Sequence, residues 1–145
     1  MSEDVLAPQD LHLLSEIGML GAGAGAALRP PTQTVFQGLM QLRPGRDFGY
    51  IGMACTHFNA GQPDEAARVL EQAVAIMTDN GAEPQGSDVS MVKAFLGLAL
   101  LMARRTAEAL ALLEALRHNS KHPPALRMAH GLLGLPLTET MKESA

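Results

Sequence analysis

The stretch from Tyr50 to Gly81, YIGMACTHFNAGQPDEAARVLEQAVAIMTDNG, decides how this chain is read. Tyr50, Met53, Ala54 and His57 recur at three- and four-residue spacing, which places them on one face of a helix. Turn-forming residues follow in NAGQPDEA, with Gly61 at the bend, and then Ala66, Leu70 and Ala73 mark the inner face of a second helix. Asp64 and Glu65 fall at the start of that helix, where carboxylates complement the helix dipole and need no catalytic explanation. The segment therefore predicts a helical hairpin.

The same spacing recurs on both sides of it. It resembles the tetratricopeptide repeat, whose unit is about 34 residues long. With the central hairpin begun at Asp47, an upstream copy begins at Leu13. It places Met19 and Leu20 on a first helix, Phe36 and Leu39 on a second, and Pro44 at the stop. Downstream, FLGLALLMARRTAEALALLEALRHNSKHP carries Leu96, Gly97 and Leu100 on a first helix and Ala109, Leu113 and Leu116 on a second. That copy needs an insertion, and DNGAEPQGSD, Asp79 to Asp88, has the Gly, Pro, Asn and Ser content of a surface loop. The expected fold is all-α and a single domain. Three degenerate hairpins, about 13–46, 47–80 and 90–123, stack as a short solenoid, with a loop at 79–88 and a capping helix at about 124–135.

Composition agrees with a helical core. The chain has 145 residues, of which 47% are hydrophobic, 18% charged and only 3% aromatic, with no Trp. Ala, Leu and Met must fill the interior, and a base-stacking platform is hard to build. A formal net charge of −4 offers no basic face, so neither nucleic acid nor an anionic membrane is an expected partner. The single cysteine, Cys55, excludes an internal disulfide and fits a reducing compartment. The opening MSEDVLAPQD is acidic where a signal peptide would be basic, and the apolar run AFLGLALLMA is about half a membrane span. A cytoplasmic location without membrane insertion is expected.

Several residue groups invite a chemical reading. Gly21, Gly23 and Ala26 in IGMLGAGAGAALRPP match a dinucleotide loop literally, and Asp47 lies where a ribose partner would be sought. Yet LHLLSEIGML before it has helical spacing, not a strand's, and Arg29, Pro30 and Pro31 interrupt the helix that should follow. No nucleotide or other cofactor is expected. Cys55 and His57 are two apart, so on a helix they point to different sides. His118 and His122 share a metal-compatible spacing, but Pro123 and Pro124 end the helix and no further ligand adjoins them, so no metal is expected. Arg104 and Arg105 fit a solvated turn better than an anion site. No set of side chains combines nucleophile, base and oxyanion donor, and the expectation is a protein that is not an enzyme.

In stacked hairpins the first helices line a concave surface. The repeat spacing assigns to it Leu14 and Ile17, then Phe48, Ile51, Cys55 and Phe58, then Met91, Ala94, Leu98, Leu101 and Met102. These residues are nearly all apolar, so they form either a closed core or a groove for an amphipathic helix or extended hydrophobic segment. Modules of this repeat that dock heat-shock chaperones hold a terminal carboxylate with Lys, Asn and Arg. Ile17, Gly21, Gly52, Met91 and Phe95 stand at those places here.

The combination of LLSEIGMLGAGAG, VFQGLMQLRPG and HFNAGQPDEAARVLEQA resembles the tetratricopeptide-like chaperones of bacterial type III secretion, over roughly Leu11 to Leu116. It is most similar to the branch of needle-subunit chaperones and related plant-pathogen Hrp proteins. The resemblance implies that a polymerising needle or pilus-type subunit is held in the cytoplasm, with or without a small helical co-chaperone. A translocator chaperone of the same system is the neighbouring possibility, and a general repeat scaffold the other. The Gly/Ala-rich first hairpin and the inserted loop depart from the family pattern.

Overall fold

The computed structural model describes residues 29–83 and 86–138. Among them lie six α-helices and no strand: α1 (Arg29–Leu42), α2 (Phe48–Asn59), α3 (Pro63–Asp79), α4 (Ser87–Met102), α5 (Thr106–Asn119) and α6 (Pro123–Leu133). The chain is all-helical over this span. The first helix of the expected 13–46 hairpin, the Gly21–Ala26 motif and the groove residues Leu14 and Ile17 lie outside the described residues.

Local chemistry explains where each helix starts. Pro30 and Pro31 occupy the first turn of α1, Pro63 opens α3, and Pro123 opens α6, positions where the missing amide proton has no intrahelical acceptor to satisfy. Asp64 and Glu65 stand in the first turn of α3 as the dipole argument requires. The connection after α3 is shorter than the 79–88 loop expected. Asp79 closes α3 and Ser87 and Asp88 open α4, because Ser and Asp suit a helix start as well as a loop.

Each helix packs on its neighbour in sequence, and α4 additionally touches α2 and α6. The helix α4 has no continuous polar stripe. Val89, Val92, Ala94, Leu96, Ala99 and Leu100 are all buried, so it can exist only with helices on most of its sides. The main core joins Tyr50 and Ala54 of α2, Ala66, Leu70, Ala73 and Met77 of α3, Leu96 and Leu100 of α4 and Ala109 of α5. A second cluster joins Ala94 to Leu113 and Leu116 of α5 and Ala125 and Ala129 of α6. Phe36 and Leu39 of α1 pack with Met53 in a third.

Two of the helix–helix contacts most dependent on glycine having no side chain involve Phe36 and Leu113. A Cβ on Gly52 would fall inside the Phe36 ring, and one on Gly97 would overlap the Leu113 side chain. Phe36 and Leu113 have no exposed surface, so neither can swing away cheaply. Buried polar groups are satisfied locally. The Tyr50 hydroxyl donates to the Pro44 carbonyl at 2.8 Å, Thr56 donates to the Met53 carbonyl at 2.6 Å, and the Ser90 and Ser120 hydroxyls bond at 2.7 Å. Arg105 draws the two hairpins together at the surface, reaching Glu71 of α3 at 3.2 Å and Glu108 of α5 at 2.6 Å.

The two helical bends use the same backbone conformation with different residues. Gly61 turns between α2 and α3 at φ 69°, and Arg104 turns between α4 and α5 at φ 64°. A residue with a Cβ pays roughly 1–2 kcal/mol in the left-handed region. Arg104→Gly is therefore expected to raise stability by up to about 1 kcal/mol after the extra unfolded-state entropy of glycine is subtracted. Urea unfolding at neutral pH measures it. The glycine seats supply an opposite pair of outcomes. Gly52→Ala should cost about 1–3 kcal/mol through overpacking against Phe36. Gly38→Ala in α1, where a Cβ meets nothing within 4 Å, should gain up to about 1 kcal/mol of helix propensity.

Candidate functional site

The face assigned to partner binding is carried by α2 and α4. On α2, Phe48, Ile51, Cys55 and Phe58 follow one another at three- and four-residue steps and form a continuous apolar ladder. Phe48 opens the ladder and is 41% exposed, with its ring tilted against Phe36 at a centroid distance of 6.4 Å. Ile51 and Phe58 are half-buried against the main core, and Cys55 against the Phe36, Leu39 and Met53 cluster. The ladder is thus rooted in two cores while its outer edge meets solvent.

On α4 the expectation divides. Met102 is 46% exposed and Leu98 is half-buried, so both present apolar surface. Ala94 does not. It has no exposed surface and is enclosed by α5 and α6, so its place in the groove is corrected to core. Met91 and Leu101 are half-buried against the same cluster, onto which Met128, Leu132 and Leu133 of α6 also pack. The α6 helix therefore covers part of the α4 surface expected to line the groove. The accessible apolar face is narrower than the repeat spacing alone implies, and it is centred on α2.

The remaining candidates have local uses. The Cys55 thiol is pushed above its ordinary pKa by burial, which disfavours the reactive thiolate. The His57 ring pairs with Gln62 at 3.1 Å. His118 turns to Glu114 at 3.4 Å, and His122 is the residue before α6, so the two imidazoles serve different elements. Among the described residues no three His, Cys, Asp or Glu side chains gather at metal-binding distance. Arg104 occupies the left-handed bend, whereas Arg105 is held by Glu71 and Glu108. A crevice of about 120 Å³ between α4 and α5 is floored by the Ser90 and Ser120 pair and edged by Lys93 and Asn119.

One arrangement escapes the sequence reading. The main-chain N–H of Asp47, just before α2, donates to Asp88 Oδ1 in the first turn of α4 at 3.2 Å, and Arg46 Nε lies 3.5 Å from the same oxygen. The Gly- and Pro-rich neighbourhood of Asp88 predicts a loop, and 41 residues separate the two. The sequence signals only that each aspartate stands at a helix start.

No family model matches the chain, and no curated protein or solved structure matches it significantly. No helix among the described residues is long and apolar enough to cross a membrane.

The site makes a direct prediction about Cys55. At pH 7.4 its reaction with an aromatic disulfide reagent should be at least about tenfold slower than that of free cysteine, because burial withholds both access and thiolate. Unfolding in urea should restore the full rate.

Proposed function

We propose that this chain is a non-enzymatic, partner-binding helical repeat of the export-chaperone kind, built from tetratricopeptide-like hairpins stacked in a short solenoid. Its α2 ladder, extended by Leu98 and Met102 of α4, covers the apolar face of a helix in a secreted needle- or pilus-type subunit. The client is held in the cytoplasm and kept from assembling. The observation that carries this reading is the ladder itself: four successive apolar positions on one face of α2, with Phe48 41% exposed at its open end. Such a face suits the i, i+3, i+4, i+7 anchors of an amphipathic helix, and nearby methionine adapts to irregular apolar shapes. The resemblance in LLSEIGMLGAGAG, VFQGLMQLRPG and HFNAGQPDEAARVLEQA supplies the client class. A translocator protein of the same system is the closest alternative client, and a small helical co-chaperone is a compatible second partner.

The burial of Ala94 and the packing of Met91 and Leu101 against the cluster shared with α6 favour a second reading. A scaffold of the same architecture with a largely closed concave side would join folded proteins and take no export client.

Co-purification from the native cytoplasm, followed by mass spectrometry of what stays bound, separates the two. A small secreted polymerising subunit is the expected partner. Ile51→Asp and Leu98→Asp should each weaken its binding by about 30-fold or more while helical content stays intact, since each places a charge against an apolar helix. Retention of the client by both variants overturns the ladder as its site, and recovery of large folded partners alone supports the scaffold.

A further inference from the structure

The α2 ladder has the same layout read from either end. Phe48, Ile51, Cys55 and Phe58 are spaced by three, four and three residues, so the ladder is centred on position 53. An aromatic ring stands at each end, and the two smaller side chains lie between them. The row runs for about 15 Å along the helix. A two-fold interface demands this kind of layout, because residue i of one copy must meet residue j of the other while j meets i.

We propose that the α2 ladder is the interface of a two-fold dimer of this chain, in which two α2 helices pair antiparallel. With the axis at the height of Met53, Phe48 meets Phe58 of the second copy and Ile51 meets its Cys55. The remaining two contacts repeat these by symmetry. The dimer forms from the chain alone and does not rest on the client reading. A client that takes the same ladder competes with the second copy.

Charge decides both the occupant and its direction. Between Phe48 and Phe58 the α2 helix carries no Asp, Glu, Lys or Arg, so two copies can meet along it without stripping water from a formal charge. A parallel pairing would set Arg43 against Arg43 and Asp47 against Asp47, with like ends of the two helix dipoles together. The antiparallel pairing opposes the dipoles. It also brings the exposed Arg43, at the corner before α2, to the negative C-terminal end of the other α2. That end, THFNAGQ, contains no Lys, Arg, Asp or Glu, so neither Arg43 nor Asp47 meets a like charge there. Area sets the strength. Phe48 is 41% exposed and the other three ladder residues are half-buried, which falls well short of the roughly 800 Å² that each partner buries in a standard interface. Standard interfaces range from micromolar to picomolar, so this dimer belongs at the micromolar end or beyond it and exchanges readily.

Sedimentation equilibrium of the full-length chain from about 10 µM to about 1 mM tests the dimer. The expected result is a reversible rise with concentration toward twice the chain mass. Phe48 is the exposed first residue of α2, where an acid suits the helix start, so Phe48→Asp should keep the helical content. It should weaken association by about tenfold or more, because the charge enters the contact twice. A monomer at every concentration overturns the dimer, and unaltered association of Phe48→Asp overturns the ladder as its surface. Should that variant fail to fold, amide NMR of wild type on dilution decides. Shifts that move with concentration should fall on Phe48 to Phe58, and movement confined to other elements overturns the interface. Direction is read from two single-cysteine chains, Phe48→Cys and Phe58→Cys, each combined with Cys55→Ser. Under mild oxidation their mixture should form disulfide-linked dimers several-fold faster than either chain alone. Equal or faster linking of either chain with itself overturns the antiparallel pairing.

Discussion

The structure depends on one constraint: α4 has no side that water can cover at low cost. Val89, Val92, Leu96, Ala99 and Leu100 form one buried face, and Ser90, Ala94 and Gly97 carry the burial on around the helix to more than half its circumference. A helix of this kind contributes stability only when several others enclose it, and α2, α3, α5 and α6 do so. The order of the remaining helices follows from that demand. The α3 helix offers a narrow stripe of Ala66, Leu70, Ala73 and Met77, which suffices for a helix lying on one side of the centre. The α5 and α6 helices close the other side, where Ala94 meets Leu113, Leu116, Ala125 and Ala129.

The enclosure also sets the limits of the candidate site. Apolar surface stays open only where no other helix covers it, and here α6 packs onto the cluster of Ala94, against which Met91 and Leu101 lie. Of the expected face, apolar surface stays accessible on α2 and at Leu98 and Met102 of α4, and Phe48 is braced by Phe36 while still exposed over 41% of its area. The Phe36 ring beside it limits the orientations open to Phe48. The same end of α2 carries the Asp47–Asp88 contact, the charged feature nearest to an otherwise apolar face.

How far the sequence announces this varies from element to element for physical reasons. The α2–α3 hairpin is legible because the buried positions of α2 recur at helical spacing, because α3 pairs a buried stripe with a polar remainder, and because Gly61 marks the bend. The start of α4 is not, since Ser87 and Asp88 serve a loop and a helix start equally well. The ladder Phe48, Ile51, Cys55 and Phe58 is readable as a stripe, whereas the burial of Ala94 depends on where α6 runs after Pro123, which periodicity does not encode. The aspartate pair is a contact across 41 residues and an insertion, and only the packed backbone brings its members together.

The alanines of α3 carry a mechanical consequence. Ala66, Ala67 and Ala73 are fully buried where α3 meets its neighbours, and an alanine has no rotamer to exchange. At these three positions a disturbance cannot be absorbed by reshuffling side chains, which leaves Leu70 and Met77 as the members of the stripe that can change rotamer. The α3 interface is thereby set by how closely the helix backbones approach, and the Arg105 bridges to Glu71 and Glu108 join α3 to the start of α5 at the surface.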